Sequence, residues 1–144
     1  MYRLISKRGE RFWYKNRNKH RSKGLPAVEW DNGAKEWYKN GKLHRDNDLP
    51  AIEWDNGGKS FYFNGLLYQF VEHPNGTKEY RDFYGWLHRD KKPAIVYANG
   101  DKEYWIHGMR HRDDGPAVIY GNKKYCFKDG EFVRELSYFT FFRV

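Results

Sequence analysis

The chain has 144 residues and carries 27 Lys plus Arg against 19 Asp plus Glu, a formal net charge of +8. Leu, Ile and Val total 19 residues while Phe, Trp and Tyr total 28; this inverted ratio argues against a helical bundle and against a doubly wound α/β enzyme, and the aromatic content argues against disorder. No apolar run reaches the length of a membrane span, the first residues lack the apolar stretch of a secretory leader, and the lone Cys126 can form no internal disulfide.

Four prolines, Pro26, Pro50, Pro93 and Pro116, each open a similar phrase: Pro-Ala-Val-Glu-Trp, Pro-Ala-Ile-Glu-Trp, Pro-Ala-Ile-Val-Tyr and Pro-Ala-Val-Ile-Tyr. Their separations of 24, 43 and 23 residues divide the chain into six units, 3–26, 27–50, 51–69, 70–93, 94–116 and 117–136, followed by a tail at 137–144. The third unit is short and lacks the segment that carries His-Arg-Asp and Pro in its neighbours.

Each unit reads as β throughout. In 27–41, two runs rich in β-branched and aromatic residues flank Asn32-Gly33, a hairpin signal because both residues tolerate positive φ. The pair recurs at Asn56-Gly57, Asn75-Gly76 and Asn99-Gly100, and a second turn follows at Asn40-Gly41, Asn64-Gly65, His107-Gly108 and Asp129-Gly130. An aromatic stands four residues after each first-turn glycine (Trp13, Trp37, Phe61, Tyr80, Tyr104 and Tyr125), and an aliphatic two after each repeat proline (Val28, Ile52, Ile95 and Val118). Stacked hairpins would align these as two columns, with cross-strand pairs contributing roughly 0.2–1 kcal/mol each. A lone hairpin is marginal, so stability is expected from neighbouring repeats. The favoured register has a three-residue loop that sets Asp31 opposite Lys35, because a two-residue loop would oppose Glu29 and Glu36. The expected fold is therefore all-β: an elongated array of six short antiparallel hairpin repeats, as an open solenoid or a twisted single sheet, in one domain.

The hairpin, the turn glycines, the aromatic after the turn and the period of 23–24 residues resemble MORN repeats. The usual Tyr-x-Gly-x-Trp core is absent, and His-Arg-Asp followed by Leu-Pro-Ala or Gly-Pro-Ala replaces the usual His-Gly. Phrases such as Trp37 to Asp46 and Leu49 to Glu53 are similar to the MORN-like proteins encoded by giant DNA viruses of the Marseillevirus type. The resemblance covers residues 3 to about 136. It implies a scaffold, a viral structural or accessory protein (virion or minor-capsid-associated), in the host cytoplasm or the virion. It does not imply a particular partner.

The loop triplets are His44-Arg45-Asp46, His88-Arg89-Asp90 and His111-Arg112-Asp113, with His20-Arg21 in the first unit. The same triplet occurs in protein-kinase catalytic loops, but this chain has no glycine-rich nucleotide loop. A metal-binding histidine ladder would have one imidazole per unit, no companion cysteine and no close His pair in sequence, so no metal or cofactor is expected. The adopted reading is structural: Arg and Asp pair within or across loops, and His donates to a carbonyl. No serine sits in a Gly-x-Ser-x-Gly elbow, carboxylates are scattered singly, and Glu29 and Glu53 read as a solvated face. No catalytic residue and no small-molecule substrate are expected. Cys126 reads as a packing residue in a strand.

Residues 1–26 hold Arg3, Lys7, Arg8, Arg11, Lys15, Arg17, Lys19, Arg21 and Lys23 against Glu10 alone, so all the excess charge lies in the first unit. That end suits an acidic protein, nucleic acid or an anionic membrane. Trp30, Trp54, Tyr97 and Tyr120 are expected to form an exposed or semi-exposed aromatic column suited to interfaces. The tail, with Tyr138, Phe139, Phe141 and Phe142, is expected to cap the array or dock on another chain. The expected activity is a non-catalytic scaffold for other proteins or further copies of itself; the alternative is binding of an anionic surface by the first unit.

Overall fold

A computed structural model describes residues 1–136; the tail residues Tyr138, Phe139, Phe141 and Phe142 lie outside the described residues. The described chain is all-β, with 18 strands paired antiparallel and no helix. Two compact units divide it, Met1–Tyr68 and the part from Gln69 onward. The division falls within one residue of the boundary between the third and fourth sequence repeats.

The first unit contains β1 (Tyr2–Lys7), β2 (Glu10–Lys15), β3 (Asn18–Lys19), β4 (Val28–Glu29), β5 (Lys35–Glu36), β6 (Tyr38–Lys39), β7 (Lys42–Leu43), β8 (Ile52–Glu53) and β9 (Lys59–Phe63). β10 (Leu66–Glu72) follows. The sheet runs β1-β2-β4-β5-β8-β9, and Leu66–Tyr68 of β10 pair with β9. β6 and β7 form a separate two-stranded ribbon.

The second unit repeats the plan. Gln69–Glu72 of β10 pair with β11 (Lys78–Arg81). Then come β12 (Ile95–Val96), β13 (Lys102–Glu103), β14 (Trp105–Ile106), β15 (Met109–Arg110), β16 (Val118–Tyr120), β17 (Lys123–Lys128) and β18 (Glu131–Leu136). The sheet follows β11-β12-β13-β16-β17-β18, with β14 and β15 as the side ribbon. A full repeat is thus one hairpin in the sheet and a second, smaller hairpin beside it.

The first turn has three residues, as expected, but one step earlier than expected. Val28 faces Glu36 and Glu29 faces Lys35, so an acid meets a base and Asp31 does not meet Lys35. The Trp30 N–H donates to the Ala34 carbonyl and the Gly33 N–H to the Trp30 carbonyl, closing a loop of Asp31, Asn32 and Gly33. Gly33 takes φ 93° and Asn32 keeps an ordinary φ, so glycine alone supplies the left-handed residue of this bulged turn. The Asn32 side chain instead accepts the Ala34 N–H at 2.9 Å. The second turn is the true two-residue type, with Asn40 at φ 51° and Gly41 at φ 82°.

Of the expected core positions, the aliphatics Val28, Ile52, Ile95 and Val118 are all buried, whereas of the aromatics only Trp37 and Tyr80 are, and Trp13, Phe61, Tyr104 and Tyr125 are half-buried. The alanine after each repeat proline, Ala27 and Ala51 in the first unit and Ala94 and Ala117 in the second, has no exposed surface. The Ala51 backbone accepts the Trp37 N–H and donates to the Ser60 carbonyl, so its strand is paired on both sides. Cys126 is half-buried in β17.

Candidate functional site

Each loop histidine receives the next repeat. The second-turn residues Asn40, Asn64, His107 and Asp129 donate their backbone N–H to Nδ1 of His20, His44, His88 and His111 at 3.2, 3.0, 3.1 and 3.0 Å. The following glycines, Gly41, Gly65, Gly108 and Gly130, donate to the carbonyls of Lys19, Leu43, Leu87 and Arg110. The second turn therefore plugs into the preceding loop through two hydrogen bonds. At about 0.5–1.5 kcal/mol each, a plug contributes on the order of 1–3 kcal/mol. Gly41 sits so close to its neighbour that an added Cβ would meet Asn18 Oδ1 at 3.1 Å.

This reverses the expected role of the histidine, which accepts at Nδ1 rather than donating to a carbonyl. The neutral ring then carries its proton on Nε2, and His44 Nε2 lies 2.8 Å from Asp46 and His111 Nε2 3.1 Å from Asp113. Burial, with Lys15 and Lys39 nearby, lowers the pKa of His20; burial and His107 lower that of His88, although Asp82 and Asp90 pull the other way. Both shifts favour the accepting, neutral form.

Arg112 pairs with Asp114 at 3.4 Å, the Arg–Asp pairing expected within a loop, but the partners that recur for all four loop arginines are others. Arg21, Arg45, Arg89 and Arg112 lie over the rings of Trp13, Trp37, Tyr80 and Tyr104 at 3.6–3.9 Å. Each also donates to the carbonyl of its repeat proline, Pro26, Pro50, Pro93 or Pro116. Arg21 and Arg45 reach Glu29 and Glu53 at 3.2 and 3.0 Å, so those carboxylates are half-buried partners rather than a solvated face. A planar guanidinium serves both the ring and the carbonyl, which an ammonium cannot match. A shallow groove of about 390 Å³ is walled by these loops, among them His20, Arg21, Trp37, His44 and Arg45.

The aromatic column is semi-exposed, and its polar ends are anchored. Trp30 and Tyr97 are half-buried, while Trp54 and Tyr120 are exposed. Trp30 Nε1 donates to Glu36 at 2.9 Å and Trp54 Nε1 to Ser60 at 3.1 Å. Tyr97 and Tyr120 both donate to Glu103, which also receives Trp105 Nε1 at 2.8 Å and Arg110 Nε at 3.3 Å. Glu103 is only 2% exposed, contrary to the expectation that carboxylates face water. Burial alone would raise its pKa, but the bonds from Tyr120, Trp105, Tyr97 and Arg110 outweigh burial and hold it below the usual carboxylate range. Tyr120 and Tyr97 are pushed up in turn by burial and by this carboxylate.

Of the basic residues in the first unit, Arg3, Lys7, Arg8, Arg11, Lys15, Arg17 and Lys23 are exposed, and every residue of β1 is exposed. Arg21 is committed to its stack, and Lys19 lies 4.9 Å over the Tyr38 ring. A second exposed group was missed in the sequence: Phe83, Tyr84 and Trp86, exposed by 68, 76 and 55% and in ring contact along one turn. Its signal was present, because the fourth repeat replaces the Lys-Asn-Gly-Lys pattern of Lys39 to Lys42 with Asp-Phe-Tyr-Gly-Trp.

The fold also gathers a group that spacing along the chain concealed. Asp82, His88 and His107 each bring one potential ligand atom within 4.8 Å of the others. His88 and His107 stack with centroids 4.1 Å apart and planes 16° apart, and His107 Nδ1 lies 2.8 Å from Asp82 Oδ2. Burial acts to raise the pKa of Asp82, but bonds from His107 and from the Trp86 and Tyr84 N–H groups prevail and lower it. No helix among the described residues is long and apolar enough to cross a membrane. The chain matches no family model, no curated protein and no solved structure.

Proposed function

We propose that the chain is a non-catalytic scaffold of MORN-like repeats that holds other proteins or further copies of itself, as a structural or accessory component of a virus of the giant DNA type. One observation carries the reading. The loop histidines and arginines serve links within and between repeats, while large aromatics such as Trp54, Phe83, Tyr84 and Trp86 remain exposed. Aromatic anchors of this kind dominate interface energetics. Light scattering across a concentration series tests self-assembly: a species above 17.5 kDa that reverts to monomer in Phe83→Ala/Trp86→Ala supports it. A chain that stays monomeric throughout removes self-assembly from the reading.

The second reading is docking of the first unit on nucleic acid or acidic phospholipid, favoured by the exposed bases on and beside β1. Binding through several phosphates weakens by about 10³–10⁵ between roughly 50 and 200 mM salt. Titration of a single-stranded oligonucleotide and of anionic vesicles at both salt levels tests it; affinity independent of salt contradicts it.

A further inference from the structure

We propose that Asp82, His88 and His107 form a binding site for a late first-row divalent cation of the zinc class, clipping the fourth repeat to the fifth. The claim goes beyond the scaffold reading and stands independently of it.

The donor set is one carboxylate and two imidazoles, which suits Zn²⁺, Co²⁺ or Ni²⁺ rather than Mg²⁺ or Ca²⁺. One potential ligand atom of each residue lies within 4.8 Å of the others, so a cation reaches all three once the stacked His88 and His107 rings turn their in-plane lone pairs toward one point. Bond lengths of about 2.0–2.2 Å require the 2.8 Å separation of Asp82 Oδ2 and His107 Nδ1 to open slightly. His107 is exposed and on a turn, so its ring has room to rotate out of the stack on His88.

The carboxylate is already oriented. Asp82 is buried, and its Oδ1 accepts the Tyr84 and Trp86 N–H groups at 2.9 and 3.0 Å, leaving Oδ2 directed at His107. His88 Nδ1 accepts the His107 N–H, so its ring proton sits on Nε2; on binding, the cation takes the Nδ1 lone pair in place of that N–H, which turns to water, and the ring loses no proton. On binding, His107 moves its ring proton from Nδ1 to Nε2, and the cation takes the Nδ1 lone pair in place of the Asp82 hydrogen bond. Coordination positions beyond these three remain for water.

The repeat supplies an independent reason. Two residues after the column aromatic, the other repeats carry Lys15, Lys39, Phe63, Ile106 and Phe127; Asp82 is the only acid. Before the second-turn glycine, three of the plugs carry Asn40, Asn64 and Asp129, and His107 is the only imidazole. Both departures fall at the one junction where they meet a loop histidine. The plug needs neither, since it uses the backbone N–H of whatever residue stands there.

The test uses the untagged full chain, stripped with a chelator and titrated with Co²⁺, then with Zn²⁺ in competition. Expected are a saturable visible Co²⁺ absorption at one equivalent, its displacement by Zn²⁺, and a rise in melting temperature with Zn²⁺. His107→Asn, which installs the residue found at Asn40 and Asn64, is expected to lose at least tenfold in affinity and the thermal rise. Asp82→Asn keeps an oxygen for the Tyr84 and Trp86 N–H groups and is expected to do the same; it decides the matter if His107→Asn fails to fold by circular dichroism. Absence of saturable Co²⁺ absorption, or unchanged affinity in both folded variants, overturns the proposal.

Discussion

Replacing Glu103 by alanine should be the most damaging single change in the second unit. The wild-type carboxylate is 2% exposed and accepts from two phenols, an indole and a guanidinium. Hydrogen bonds to a charged group contribute about 1.5–3 kcal/mol each, but the four cannot be summed. Tyr120 is 38% exposed and the Arg110 side chain 37% exposed, so both donors can turn to water. Tyr97 and Trp105 are half-buried and less free to do so. Removing one partner of a buried charged pair costs about 3–5 kcal/mol, and that range is expected for Glu103→Ala. Glu103→Gln keeps the shape and one acceptor and should cost about 1–2 kcal/mol, near a single net hydrogen bond. For a unit of this size, 1 kcal/mol moves the midpoint by about 4–8 °C, so the alanine variant should melt more than about 12 °C lower. Urea unfolding followed by tryptophan fluorescence reads the change, since Trp105 is itself a donor. Acid supplies a second check. The folded pKa of Glu103 is depressed below 4.5, so its contribution is complete above that pH and is lost as pH falls through the folded value. The gap between wild type and Glu103→Gln should therefore narrow below pH 4.5. An alanine variant within about 1 kcal/mol of wild type, outside the 3–5 kcal/mol of a broken buried pair, would refute the reasoning.

Arg45→Lys keeps the charge but loses the planar stack on Trp37 and the geometry that reaches both Pro50 and Glu53; a loss of about 1–2 kcal/mol in urea unfolding is expected. His20 has a folded pKa below its ordinary 6.5, so the stability it contributes is complete above pH 6.5 and declines as pH falls through the folded value. His20→Gln should flatten the stability-against-pH curve below 6.5, and a curve of unchanged slope contradicts the accepting role. Gly33→Ala adds a Cβ that meets nothing within 4 Å, yet φ is 93°, so a cost of about 1–2 kcal/mol from backbone strain alone is expected in a thermal melt.

Much of the fold was legible because a repeat exposes its own logic. An aromatic four residues after every first-turn glycine cannot recur six times by accident in a chain whose aliphatics are scarce, and Trp37 and Tyr80 are indeed buried, as are Val28 and Ile52. The register was harder. Asn32-Gly33 and Asn40-Gly41 look alike in sequence, but one is the end of a three-residue loop and the other a two-residue turn. The distinction lies in the partner strands, which local residues do not encode. The loop histidines were recognisable as a column, but their donor or acceptor role depends on a backbone N–H about 20 residues away. Glu103 resembled Glu36 and Glu79 in position, and only the convergence of Tyr97, Tyr120 and Trp105 made it buried.

Repetition also gives departures a meaning that a single domain cannot offer. Where a repeat conforms, each residue is explained by the neighbour it must join; a departure must either lose that joint or add something to it. Tyr68 stands where its neighbours have histidine, so the imidazole acceptor that receives the next turn is missing there. It is also the last residue of the first compact unit. Asp82 and His107 depart in the other sense: the plug between Leu87 and Gly108 stays intact, and a carboxylate and an imidazole are added to it. Gain of two potential ligands therefore coincides with the one cluster of metal-ligating geometry among the described residues. A joint made by backbone N–H groups leaves the side chain of the turn free to vary, which is why His107 can stand where the other plugs carry Asn40, Asn64 and Asp129.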